Sequence, residues 1–137
     1  MPTLGYRNNN PGNLVKGSKP FLGEVFPGTD KRFRQFQTMD YGYRAAMKVL
    51  VNFISSGYNT IEKIITRWAP PVENNTKAYI NSVAIQTGIQ PNFVITIDQA
   101  DYIKKIMAAI SRHENGIEPD FRLILKGWEL LEQKKKS

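Results

Sequence analysis

The sequence predicts a mainly α domain of the α+β class, about five helices preceded by a small N-terminal β-hairpin. Two observations lead there. From residue 5 to residue 38 the chain is rich in Gly, Pro, Asn and Ser, with short apolar and aromatic pieces between them and no helical period. From Met39 onward, apolar residues recur at helical spacing. With 137 residues, 41% of them hydrophobic, the chain can fill one core of ordinary domain size, so residues 1–137 read as a single domain.

Taken in order, Glu24 to Phe26, the turn Pro27-Gly28-Thr29-Asp30 and Lys31 to Phe36 make the hairpin, although Phe33 and Phe36 break strict alternation. The first helix covers Met39 to Ser56, with Tyr43, Met47, Leu50, Val51 and Ile54 on one face, Thr38 or Asp40 capping its start and Gly57 ending it. Asn59 and Thr60 open a second, carrying Ile61, Ile64, Ile65 and Trp68, which must stop before Pro70-Pro71. Asn75-Thr76 begins a third that runs through Tyr79, Ile80 and Val83 to Gly88. A fourth, from about Asp98 to Arg112, aligns Ile103, Ile106, Met107 and Ile110, and Asn115-Gly116 is its stop signal. A fifth, from about Pro119 to Gln133, buries Leu123, Ile124, Trp128 and Leu131 before fraying into Lys134 to Lys136.

Composition narrows the chemistry. The absence of cysteine removes disulfides and thiolate metal sites, and a single histidine excludes most zinc chemistry, so neither a metal nor another cofactor is expected. No N-terminal signal-like stretch and no run long enough to span a bilayer is present. A net charge of +7 attracts polyanions, among them nucleic acid, anionic lipid and bacterial wall polymers. Charge alone does not choose among these.

One carboxylate stands out. Projected at about 100° per residue, Ile103, Ile110 and Glu114 fall within about 40° of one another on the apolar stripe of the fourth helix. Glu114 also ends that helix, where the carbonyls carry partial negative charge and a cation would be the stabilising choice. Partial burial and the helix end both disfavour the ionised form, which suits a general acid.

The string Arg7-Asn8-Asn9-Asn10-Pro11-Gly12-Asn13-Leu14 resembles the opening of phage virion-associated, lysozyme-like muralytic proteins. The resemblance continues through Asp30 to Phe36, Tyr41-Gly42-Tyr43-Arg44-Ala45, Arg67 to Asn74, Thr76 to Val83, and Arg112-His113-Glu114-Asn115-Gly116, in that order. Ile106 to Gly116 is also similar to the helix of lytic transglycosylases and goose-type lysozymes that ends in a catalytic Glu. In those enzymes the Glu helix precedes the hairpin, whereas here it follows. The resemblance therefore implies a circularly permuted lysozyme-like fold, feasible where termini lie close together at the surface.

It also implies an enzyme that cuts the glycan strands of peptidoglycan. Glu114 would protonate the leaving oxygen. If a second carboxylate activates water, the enzyme is a muramidase, and Asp30 and Glu24 on the hairpin are the candidates. If the sugar's own hydroxyl attacks, one Glu acting as acid and then base suffices. Tyr79 matches the tyrosine that lines the cleft near the catalytic carboxylate in those relatives. Asn10 and Asn13 carry amides suited to N-acetyl and hydroxyl groups, and Tyr43 lies in a matching string, so all three join Tyr79 as candidate glycan contacts. Structural roles stand beside these: turn chemistry for Asp30, Asn10 and Asn13, core packing for Tyr79. The expected setting is a phage virion or host cytoplasm with action at the cell wall, as a monomer with no required nucleic-acid partner, in company with other virion proteins. A silent structural or wall-binding module and a basic nucleic-acid-binding domain are the rival readings.

Overall fold

The helical periods from Met39 onward become helices in the computed structural model, which describes residues 2–69 and 75–136, with side chains to residue 133. In chain order the elements are α1 (Leu4–Arg7), α2 (Met39–Ser55), α3 (Ile61–Trp68), α4 (Thr76–Thr87), α5 (Ala100–Asn115) and α6 (Phe121–Lys136). Five of these are the expected helices. The added element, α1, is a single turn capped by Thr3, too short to show a period. Pro70 to Asn74, and with them part of one matching string, lie outside the described residues.

Local chemistry sets the ends. Thr60 accepts the Lys63 amide at 3.1 Å and Asn75 the Ala78 amide at 3.1 Å, so α3 and α4 start on side-chain caps. Gly88 and Gly116 close α4 and α5 in the left-handed conformation, at φ 72° and 70°. Thr38 precedes α2, but its hydroxyl bonds Asp40 and caps no backbone amide. α5 begins two residues later than expected because Gln99, through its Oε1, takes the Thr96 amide at 2.9 Å. It ends three residues later, which brings Glu114 inside the helix.

The expected hairpin is reduced to isolated bridges. Glu24 pairs with Phe36, flanked by Val25 N–H to Gln35 O at 2.8 Å and Gln37 N–H to Gly23 O at 2.9 Å. On the opposite edge of the same segment Val15 pairs with Phe33. The 32–37 stretch is thus held on both edges, yet among the described residues no strand forms. Phe21 and Glu24 turn back on each other, Glu24 N–H bonding Phe21 O and Phe21 N–H bonding Glu24 Oε1, which bends the first arm out of register.

A single apolar cluster joins α2 to α6. Tyr43, Met47 and Leu50 of α2, Ile61, Ile64 and Ile65 of α3, Val83 of α4, Ile103, Ile106 and Ile110 of α5, and Ile124 of α6 are all buried in it. The N-terminal loop lies directly on α2 because Gly42 permits it: a Cβ there would meet Asn9 O at 2.0 Å. Trp68 completes the join by donating its indole N–H to Gly12 O at 3.1 Å. This contact fixes the Asn8 to Leu14 loop beside the end of α3.

Candidate active site

α5 is anchored by Ile103, Ile106, Met107 and Ile110, so the direction of its last turn is set by the core. Two further polar contacts hold that turn. Tyr43 and Ser111 share a buried hydroxyl pair at 2.9 Å. Asn115 donates to Ser111 O at 2.9 Å and Pro11 O at 3.0 Å, while its Oδ1 accepts the Thr3 hydroxyl at 2.6 Å. Gly5 allows this closure, since a Cβ there would meet Asn115 Oδ1 at 2.5 Å. The start of the chain is thereby locked to the end of α5.

Glu114 is half-buried in this locked turn. Its two oxygens have one donor each: Asn13 Nδ2 at 2.7 Å on Oε1, and the Tyr79 hydroxyl at 2.8 Å on Oε2. Tyr79 is 1% exposed, and its ring stacks on His113 with centroids 3.7 Å apart. Burial, and after it the Glu114 carboxylate, push the Tyr79 phenol well above its ordinary range, so it remains a protonated donor. Arg112 does not compensate the carboxylate, because it forks onto Glu118 at 2.7 Å and reaches Gln86. The result is a carboxylate oriented through both oxygens and still open to a reacting group, since each oxygen keeps a second lone pair.

Glu114 and Tyr79 are therefore brought together, and Asn13 joins them in a different role from the one expected. Its Nδ2 donates to Glu114 and its Oδ1 is buried. Asn10 is 0% exposed, with Nδ2 on Leu14 O and Arg34 O and Oδ1 on the Leu14 amide, which makes it a loop brace. Tyr43, also 0% exposed, belongs to the core and braces Ser111.

Neither candidate second carboxylate is engaged with Glu114. Glu24, with its side chain 2% exposed, forms a buried ion pair with Arg34 at 2.5 Å and accepts the Phe21 amide. Asp30 accepts the Phe33 and Arg32 amides at 2.7 and 2.8 Å, which holds its carboxyl below the usual carboxylate range and makes it the brace of its own turn. His113, which the sequence offers as a polar neighbour of the Glu or a solvated helix end, stacks on Tyr79, whereas the part that Asn115 plays in holding the turn is not readable from the sequence. Asn115 reads as a stop signal, and nothing periodic reports where its amide points.

A cavity of about 230 Å³ opens elsewhere, between α2 and α6, lined by Val51, Trp128 and Leu131 with Lys48 and Glu132 at its polar side. None of the Glu114 cluster lines it. Among the described residues no group of His, Asp and Glu is placed to hold a metal ion.

No protein-family model matches the chain. Over 130 residues it is 40% identical to Protein P5 of Pseudoalteromonas phage PM2, a match that covers 91% of this chain and 79% of that protein.

Proposed function

The chain belongs to the family of Protein P5 of Pseudoalteromonas phage PM2, and we propose that it is a virion-associated muralytic enzyme that cleaves peptidoglycan glycan strands by transglycosylation. The observation that carries this reading is the half-buried Glu114 at a helix end, oriented by the Tyr79 hydroxyl at 2.8 Å. The sequence resemblance to lytic transglycosylases names the same two residues, with the Glu helix placed after the N-terminal loop in a permuted order. No helix among the described residues is long and apolar enough to cross a membrane. A net charge of +7 favours an approach to anionic wall polymers.

The chemistry needs a single carboxyl group. Protonated Glu114 gives its proton to the glycosidic oxygen as the bond from the anomeric carbon to that oxygen breaks, leaving an oxocarbenium-like centre. The resulting carboxylate then takes a proton from the primary hydroxyl of the same sugar as that oxygen attacks the anomeric carbon. Glu114 is regenerated, and the product ends in an anhydro sugar. The engagement of Glu24 by Arg34 and of Asp30 by its own turn favours this route over the two-carboxylate one.

Purified peptidoglycan incubated with the protein should release soluble fragments. Binding without release would instead assign a wall-binding or structural virion module. Tyr79→Phe should retain the stacked ring and the fold but lose a donor to the carboxylate. We expect kcat to fall roughly 10- to 100-fold with KM little changed, since a hydrogen bond to a charged group is worth about 1.5–3 kcal/mol. A large rise in KM at unchanged kcat would assign Tyr79 to glycan binding.

A further inference from the structure

We propose that Asn13 is a positioning residue for Glu114, a preset donor for the negative charge that appears on Oε1 when the proton leaves. The inference rests on the reading of Glu114 as the acid, and three observations carry it. Asn13 Nδ2 lies 2.7 Å from Oε1, a separation typical of a donor facing an ionised acceptor. Its backbone is left-handed at φ 53°, a conformation that Asn tolerates better than most side chains. Its Oδ1 is buried without a hydrogen-bond partner, so the polar side-chain contact of this amide is its donation to Glu114.

The donor is also unable to retreat. Asn13 N–H bonds Asn10 O at 3.0 Å, the buried Asn10 amide holds Leu14 on its far side, and Asn115 holds Pro11. The loop presenting Asn13 is thus fastened to the helix that presents Glu114. A donor fixed before the reaction meets the negative charge as it develops on Oε1, and so acts on the transition state in which that charge forms. The other groups at Glu114 among the described residues are the Tyr79 phenol from α4 and, on its own helix, His113 stacked on Tyr79 and Arg112 turned to Glu118.

Asn13→Gly and Asn13→Asp test this, because both replacements suit a left-handed backbone. The pH profile of fragment release and the carbon-13 titration of the Glu114 side-chain carboxyl are measured on the parent and both variants. Deleting the donor should move the alkaline limb and the titration midpoint up by roughly half a unit, and placing a carboxylate beside Glu114 should move them up by more than about one unit. The expected order is therefore parent, Asn13→Gly, Asn13→Asp. Reduced release with an unchanged limb and midpoint would reduce Asn13 to a loop-forming residue and overturn the proposal. If the parent releases no fragments, the proposed function fails by itself. The titration then still decides for or against the hold of Asn13 on Glu114.

Discussion

Glu114→Gln should reduce fragment release by about a thousandfold, within the range by which a positioned general acid accelerates a reaction. The replacement is nearly isosteric, so Asn13 and Tyr79 retain an amide to meet in the same place. Gln offers one acceptor oxygen in place of two, so stability should fall by about 1–3 kcal/mol, partly offset by the removal of a carboxylate from the carbonyl end of α5. Loss of turnover far beyond the loss of folded protein is the signature of a residue kept for chemistry. A variant that clears peptidoglycan within tenfold of the parent would remove Glu114 from the mechanism.

The second large effect concerns stability. Glu24→Ala should destabilise the protein by about 3–5 kcal/mol, since it leaves the Arg34 guanidinium without its buried counter-ion. It also strips the Phe21 amide of its acceptor. Arg34 would keep Val15 O and Lys19 O, which limits the damage to the lobe formed by residues 14–37. Denaturant unfolding should show a lower midpoint at unchanged slope, while activity per folded molecule stays near the parent's. A variant that is fully folded yet inactive would return Glu24 to the catalytic set and favour hydrolysis with two carboxylates.

These two glutamates show what the sequence makes legible. Glu114 is visible because a helical period is a strong signal, and a carboxylate on the same stripe as Ile103 and Ile110 breaks the pattern. Its half-burial follows from that placement. Glu24 gives no such signal: on a short arm between turns, its burial depends on Arg34, ten residues away and set by the fold of the loop. The pairing of Glu24 with Phe36 was within reach of turn chemistry, but the bend at Phe21 that prevents a strand was not.

The helices from α2 to α6 were legible for the same periodic reason, with errors at their ends where Gln99 and Asn115 act through side-chain contacts. The candidate site was legible in part. Tyr79 came by resemblance, while its buried ring and hydroxyl contact depend on the packing of α4 against α5. Asn13 was visible as an amide but not as a partner of Glu114, because a contact spanning most of the chain leaves no local spacing to read. The apolar period of α2 already places Tyr43 in the core and turn chemistry already offers Asn10 a structural role, and the burial of both favours those readings over glycan contact.

The central claim is that Glu114 alone carries the proton out and back, so the masses of the released fragments test it most directly. Parent protein on purified peptidoglycan should yield fragments with anhydro ends, each lighter by one water than its hydrolysed counterpart, and Glu114→Gln should yield almost none. Fragments with reducing ends, or equal yields of anhydro ends from both proteins, would contradict it.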